Sequence, residues 1–250
     1  MVPRLGKMIP RVMTQAVIAS CLLVALAASN TAFAAEEDPW EGFNRAMFSF
    51  NETFDRILFK PIAKGYDFLT PKPLDDGISN VFNNLGEVRN FVNDSLQGKW
   101  RSAGTDISRL LINTTLGVGG LVDVASRLDV EGSEEDFGQT LGSWDVGAGP
   151  YLVIPFLGPS SMRDFVARFP DGFLYPPFYI NPDSTRIAVN ATDIIDTRSD
   201  LMATERLIQG DRYTFIRDAY LQRREYLVTD GDVEDDFTSD DFDDDEDEEY

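Results

Sequence analysis

The chain has 250 residues and a formal net charge of −21, from 43 Asp and Glu against 22 Lys and Arg. It contains no histidine and one cysteine, Cys21, which excludes histidine-based catalysis, disulfides within the chain and clustered thiolate metal sites. The acidic balance also argues against nucleic acid as a partner. We predict no cofactor and no metal ion.

The first 34 residues have the pattern of a secretory signal peptide. Three basic residues precede an apolar run at 16–28, and an Ala-Phe-Ala sequence at 32–34 supplies a cleavage site. The apolar run is short for a membrane anchor. We therefore predict export, with cleavage between Ala34 and Ala35.

Cys21 offers an alternative mode of processing. The sequence Ile-Ala-Ser-Cys at 18–21 loosely resembles a lipobox, in which Cys21 would be lipidated. Cleavage before Cys21 would leave the apolar segment 22–28 at the mature N-terminus, whereas cleavage after Ala34 would not. The second outcome is favoured, and lipidation of Cys21 stays open.

A first amphipathic helix is predicted from the Asp-Pro pair at 38–39, which provides an N-cap and a proline at the first helical position. Pro61 is expected to end or kink it. Its apolar residues recur at gaps of three and four: Trp40, Phe43, Met47, Phe50, Phe54 and Ile57. We interpret this stripe as a core face, with direct lipid contact as the alternative.

A second amphipathic helix follows the turn-rich segment 70–77 and ends near Gly98. Its apolar positions again step by three and four: Ile78, Val81, Phe82, Leu85, Val88, Val92 and Leu96. A third helix is predicted over 102–113.

A glycine-containing segment follows the third helix. Two interpretations are open: a helix end whose glycines permit positive backbone dihedrals and close packing, or a passage where backbone amides and small polar side chains meet lipid head groups. The candidate passage residues are Asn113, Thr114, Thr115, Gly117, Gly119 and Gly120.

The segment 146–162 carries no charge, yet glycines and prolines interrupt it too often for a spanning helix. Any membrane contact here would be monotopic or shared with a partner. Short strands or a hairpin are possible near 151–154, and a second uncharged patch covers 173–180. These aromatics suit either a core or an interfacial belt. The candidate membrane or partner contacts are Phe43, Tyr151, Phe156, Leu157, Phe173, Tyr175, Phe178 and Tyr179.

Helical spacing returns after residue 183 and continues to about 227. Residues 230–250 then contain fourteen Asp or Glu and no Lys or Arg, which predicts an acidic disordered tail. We predict a mainly α fold: one domain of amphipathic helices over 35–229, with a Gly/Pro/aromatic-rich irregular middle segment.

Five blocks of the sequence resemble the MlaA (VacJ) family of outer-membrane phospholipid-transport proteins, in the family order. They lie at 38–45, at 83–93 with 96–99, at 109–125, at 135–164 and, more weakly, at 220–224. The chain departs from the family pattern in its weak lipobox, its acidic tail and an Asp-Arg-Tyr sequence at 211–213 where Asp-Pro-Tyr is expected.

The resemblance implies a ring-like helical protein on the periplasmic side of the outer membrane. Such a protein removes misplaced phospholipids from the outer leaflet and passes them to a soluble periplasmic carrier, in association with a trimeric porin, without breaking a bond. The alternative is an exported non-catalytic scaffold of the cell envelope. A hydrolase is a weaker alternative, because carboxylates such as Asp136 and Asp164 most often serve as helix caps or ion-pair partners.

Overall fold

The structure is a computed structural model that describes residues 38–205, 208 and 210–232. The predicted signal peptide, with Cys21, Ala34 and Ala35, lies outside the described residues, and so does the acidic tail beyond residue 232. How the N-terminus is processed therefore stays a prediction.

The described part of the chain is mainly helical, which confirms the predicted fold class; the ring-like closure stays a prediction. In chain order the elements are α1 (Glu41–Phe54), a π-helical segment (Asp55–Phe59), α2 (Lys60–Leu69), α3 (Lys72–Gln97), α4 (Trp100–Thr115), α5 (Val124–Arg127), α6 (Phe137–Ser143), β1 (Tyr151–Ile154), β2 (Gly158–Ser161), α7 (Met162–Leu174), a 3₁₀ segment (Pro176–Tyr179), α8 (Asp183–Thr204) and α9 (Arg212–Val228). No described helix is both long enough and apolar enough to span a membrane.

The helix that begins at Glu41 continues through Pro61 instead of ending there. The π-helical segment Asp55–Phe59 lies immediately before it and joins α1 to α2. Proline has no backbone N–H and crowds the preceding turn, and a wider turn at this point accommodates both effects.

The longest helix, α3, has 26 residues and a length of about 39 Å at about 1.5 Å per residue. It ends at Gly98, whose φ of +79° is the left-handed conformation that glycine adopts readily. The chain then reverses into α4, which packs along α3. These two helices form the frame on which the polar interior is built.

The uncharged middle segment folds into a two-stranded antiparallel hairpin, with Tyr151 opposite Ser161 and Ile154 opposite Gly158. Tyr151 and Val153 of β1 join Tyr213 of α9 in a small apolar core. The partly buried hydrophobic residues around this core are Met47, Phe48, Tyr220 and Leu221.

Two side-chain amides of α1 hold the hairpin. Asn44 donates from Nδ2 to the Tyr151 carbonyl at 3.0 Å and accepts at Oδ1 from the Val153 N–H at 2.8 Å. Two turns later, Asn51 donates to the Ile154 carbonyl at 2.9 Å and accepts from the Phe156 N–H at 2.8 Å. The helix therefore bonds to β1 as a neighbouring strand would.

We expect Asn44→Ala to lower the free energy of unfolding by about 2–3 kcal/mol, because it leaves the buried backbone groups of β1 without partners. Asn44 is fully buried, whereas the backbone N–H bonded by Asn51 is more exposed. Asn51→Ala should consequently cost less, about 1 kcal/mol. Denaturant unfolding of the purified chain checks both values.

Asn83→Ala is the matched control, because Asn83 is exposed on α3 and its side chain has no hydrogen-bond partner among the described residues. Its unfolding free energy should stay within about 0.5 kcal/mol of the wild type. If Asn44→Ala matched that control, the amide would not be what holds the hairpin.

Candidate functional site

The interior of the described chain is mainly polar. Ten hydrophobic side chains are buried there against eighteen polar or charged ones. In an ordinary globular protein the ratio is reversed, since burying polar groups is unfavourable unless each finds a partner.

The buried face of α3 is made of polar residues at helical spacing. Apart from Gly77, its buried residues are Asp75, Asn84, Glu87, Asn90, Asn93 and Asp94. Its predicted apolar stripe lies half-buried or exposed. On α4 the buried positions are likewise Ala103, Asp106, Arg109 and Asn113, while Trp100 and Leu111 are exposed. Both helices turn a polar face inward.

The aromatic stripe of α1, interpreted above as a core face, lies mostly on the surface. Phe43, Phe50 and Ile57 are 51%, 42% and 70% exposed, and Asn44 is the buried residue of the helix. The hairpin packs against the side that carries Asn44 and Asn51, so the stripe is turned outward. The core assignment is corrected accordingly.

A cavity of about 1040 Å³ opens inside this polar interior. Its charged lining consists of nine carboxylates and five guanidinium groups: Glu87, Asp123, Glu131, Glu134, Glu135, Asp136, Asp164, Asp171 and Asp193, with Arg89, Arg109, Arg168, Arg223 and Arg224. A cavity of this size and polarity could accept a substantial polar ligand or head group.

Arg109 organises one wall of the cavity. Its Nε donates to Glu87 Oε1 at 2.6 Å, its Nη2 to Asp123 Oδ2 at 3.2 Å and its Nη1 to Ser126 Oγ at 3.1 Å. Burial raises the pKa of Glu87 although the Arg109 charge opposes that shift. One guanidinium group thereby joins α3, α4 and the start of α5.

Arg224 plays the same part on the opposite side. It forms a bidentate pair with Asp136, at 2.6 and 3.0 Å, and also donates to Asp164 Oδ1 at 3.0 Å. Burial raises the pKa of Asp136, but the Arg224 charge outweighs it and the net shift is downward. Arg224 thus connects α9 to the N-terminus of α6 and to α7.

A third cluster pairs two buried carboxyl groups. Ser133 Oγ lies 2.8 Å from Asp94 Oδ2 and 3.1 Å from Asp106 Oδ1. Burial, together with the neighbouring Asp106, raises the pKa of Asp94 from 3.8 to about 7. Below about pH 7 the pair therefore retains a proton.

This cluster predicts a pH-dependent stability. Because the pKa of Asp94 is higher in the folded chain than in the unfolded one, the free energy of unfolding falls as pH rises from about 4 to about 7. We expect Asp94→Asn to raise the free energy of unfolding by about 2 kcal/mol at pH 8 and to leave it nearly unchanged at pH 4. Denaturant unfolding at the two pH values measures this.

Asp67→Asn provides the control, since Asp67 is exposed and has no partner among the described residues. It should shift stability by less than about 0.5 kcal/mol at either pH. If Asp94→Asn lowered the free energy of unfolding at pH 8, the result would contradict a raised pKa of Asp94 in the folded chain.

Three of the predicted passage residues, Asn113, Thr114 and Thr115, lie in the last turn of α4, the three glycines lie in the turn that follows, and none of the six lines the cavity. Asn113 donates to Asp123 Oδ1 at 3.0 Å, and Thr114 accepts from Asn84 at 3.0 Å, while Thr115 donates to the Leu111 carbonyl at 2.6 Å. The passage interpretation of these residues stays a prediction.

Two of the three glycines after α4, Gly117 and Gly120, permit close packing, whereas a Cβ on Gly119 would meet no atom within 4 Å. A Cβ on Gly117 would lie 2.1 Å from the Val122 carbonyl oxygen, and one on Gly120 would lie 2.9 Å from Asn84 Nδ2. Gly119 and Gly120 also have φ values of +73° and +93°. This is the helix-end alternative given above.

The predicted contact residues divide into three groups. Tyr151 is only 1% exposed and packs against Tyr213 and Tyr220, so it makes no surface contact and is corrected to a core residue. Tyr175 lines the cavity and donates to Asp193 Oδ2 at 2.7 Å. Those at the surface or partly exposed are Phe43, Phe156, Leu157, Phe173, Phe178 and Tyr179.

The sequence did not predict the residues of the cavity wall as one site. Glu87 and Arg109 were not singled out in the sequence, and Asp136 and Asp164 were interpreted only as caps or ion-pair partners. The signal that could have found them is the polar residues at helical spacing on α3 and α4.

The chain is similar to proteins of one family over most of its length. The family model described as MlaA lipoprotein matches residues 36–227. The chain belongs to the MlaA lipoprotein family. This confirms the resemblance drawn from the five sequence blocks.

Individual members of the MlaA family agree with this assignment. The chain is 34% identical over 222 residues to the intermembrane phospholipid transport system lipoprotein MlaA of Escherichia coli, covering 86% of this chain and 88% of that protein. The Haemophilus influenzae MlaA is 32% identical, with 78% and 80% covered.

A solved structure, described as the structural basis for maintenance of bacterial outer membrane lipid asymmetry, superposes on this chain with a TM-score of 0.68. Its sequence is 36% identical, and the match covers 77% of this chain and all of that one. The blocks shared with the MlaA family contribute both partners of the most buried cavity ion pairs: Glu87 with Arg109, and Asp136 and Asp164 with Arg224.

Proposed function

We propose that this protein transports phospholipids between membranes, as a component of an intermembrane phospholipid transport system. It removes misplaced phospholipids from the outer leaflet of the outer membrane and passes them to a soluble periplasmic carrier. The cargo leaves chemically unchanged, so the protein is not an enzyme. Membership of the MlaA family supports this assignment.

The observation that carries the proposal is the inverted polarity of the helices. A phospholipid has a charged head group that needs polar surroundings and acyl chains that need apolar ones. A polar cavity of about 1040 Å³ suits the first requirement, and exposed apolar side chains suit the second. The largest exposures among these are those of Phe68, Leu69, Ile57, Trp100 and Val118.

The same exposed surface supports a position on the periplasmic side of the outer membrane. Phe156 is in ring contact with Phe50 and Phe54, and an exposed apolar patch marks a membrane or partner interface in many proteins. We assign the surface residues Phe43, Phe156, Phe178 and Tyr179 to contact with lipid or with a trimeric porin.

The proposal can be tested in a Gram-negative host from which the resident MlaA-family gene has been deleted. Expression of this chain should reduce the amount of phosphatidylethanolamine that a membrane-impermeant amine reagent labels on the cell surface. Empty vector is the control, and unchanged labelling despite outer-membrane expression would contradict the proposal.

Purification from the same cells tests partners and location. The chain should be recovered in mild detergent from the outer-membrane fraction, with phospholipid and a porin identified by mass spectrometry. Recovery as a lipid-free protein from the soluble periplasm would favour the scaffold alternative instead.

A further inference from the structure

Two of the five arginines that line the cavity, Arg89 and Arg168, form no ion pair within 4 Å among the described residues, although the charge of Arg89 acts on Asp136, Asp171 and Asp193. Arg109, Arg223 and Arg224 each form ion pairs with acidic residues. Arg89 donates from Nε to the Glu135 carbonyl at 3.2 Å, and its two terminal nitrogens have no partner among the described residues. The Arg168 side chain has no partner there at all.

Arg89 and Arg168 line the same cavity from two helices that are in contact. Their helices, α3 and α7, are joined by a hydrogen bond of 3.2 Å from Asn93 Nδ2 to Asp171 Oδ1. Arg89 precedes Asn93 by one helical turn, and Arg168 precedes Asp171 by about one turn. Both arginines therefore belong to helical turns next to this contact, and both line the cavity.

Open space lies beside both arginines. Gly86 is one turn before Arg89, and Gly172 is one turn after Arg168; both glycines line the cavity. A Cβ built at either glycine would meet no atom within 4 Å. A ligand group could therefore enter beside these two glycines, one turn from each arginine, without displacing protein atoms.

The charge of the whole lining restricts what that ligand can be. Nine carboxylates against five guanidinium groups give a formal charge of −4 when all are ionised. Such a lining repels a head group with a net negative charge, whereas an ammonium group is attracted to it. Glu131 lines the cavity without an ion pair among the described residues and is open to a cation, whereas Asp193 accepts from Tyr175 and lies in the field of Arg89.

We propose that Arg89 and Arg168 bind the phosphodiester of a zwitterionic phospholipid head group whose ammonium group lies among the lining carboxylates. This inference rests on the proposed function and specifies its substrate class. Guanidinium groups suit the role because they offer paired N–H donors that match phosphate oxygens.

Binding of short-chain lipids to the purified full chain in detergent tests the inference. The ligands are dioctanoyl phosphatidylethanolamine, dioctanoyl phosphatidylglycerol, dioctanoylglycerol, which lacks the phosphate, and glycerophosphoethanolamine, which lacks the chains. The variants are Arg89→Gln, Arg168→Gln, the double variant and Arg89→Lys. Arg101→Gln is the matched control, because Arg101 is exposed on α4, away from the cavity.

We expect the wild type to bind the phosphatidylethanolamine more tightly than the phosphatidylglycerol. Each Arg→Gln change should weaken phosphatidylethanolamine binding about tenfold, and the double variant more. Arg89→Lys should lose less affinity for the phosphatidylethanolamine than Arg89→Gln does, and Arg101→Gln should bind it as tightly as the wild type. Dioctanoylglycerol should bind all variants equally.

Three results would overturn the inference, each differently. Equal phosphatidylethanolamine affinity in the wild type and the double variant would remove the arginines from the site. If glycerophosphoethanolamine bound as tightly as dioctanoyl phosphatidylethanolamine, the ligand of this site would be a soluble phosphodiester. If no diacyl ligand bound the wild type, the proposed function itself would fail.

Discussion

Arg109→Met is expected to lower the free energy of unfolding by about 3–5 kcal/mol, because it leaves the buried Glu87 carboxylate without its partner. Arg109 and Glu87 are only 9% and 5% exposed at their side chains, so water replaces the lost ion pair poorly. Denaturant unfolding in detergent measures the loss. A second change, Glu87→Gln in the same chain, should restore part of it by removing the unpaired charge.

Arg101→Met on the same helix is the control for this prediction. Arg101 is exposed, and its loss should change stability by less than about 0.5 kcal/mol. If Arg109→Met behaved like Arg101→Met, or if Glu87→Gln made the double variant worse, the wall of the cavity would not depend on this ion pair.

Arg224→Met should have an effect of similar size, about 3–5 kcal/mol, since it removes the shared partner of two largely buried carboxylates. The loss should also depend on pH. In the wild type the pKa values of Asp136 and Asp164 are lowered. The stability that these two carboxylates contribute is therefore present above their ordinary pKa and is lost as pH falls through the lowered pKa. The difference in unfolding free energy between Arg224→Met and the wild type should therefore become smaller in acid.

Arg223→Met separates this effect from a general loss of positive charge on α9. The Arg223 pair with Glu134 is largely exposed, and such pairs contribute about 0–1 kcal/mol. Equal unfolding curves for the two variants at pH 7 would argue against Arg224 as the connection between α9, α6 and α7.

The helices themselves could be predicted from the sequence, because a period of three and four is a property of the local chain. The orientation of those helices could not. A stripe such as Phe43 to Ile57 defines an apolar face, but it does not say whether water or lipid surrounds the protein. Reading the stripe as a core assumes an aqueous exterior, and α1 shows the opposite arrangement.

The cavity illustrates a second limit of sequence reasoning. Glu87 and Arg109 are 22 residues apart, and Asp136 and Arg224 are 88 apart. Helical spacing shows that each lies on a polar face, but only tertiary packing selects the partner across the interior. The glycine turn at 117–120 was easier, since its alternatives included the close packing that the structure contains.

The clamp formed by Asn44 and Asn51 also affects the exposed edges of the hairpin. An unpaired strand edge invites another chain to add a strand, which leads to aggregation. On β1 the outward N–H of Val153 and the carbonyl of Tyr151 are already bonded to Asn44. On β2, Pro159 lies opposite Val153 and has no N–H to offer. Both edges of this small sheet are therefore closed to strand addition before any membrane or partner is engaged.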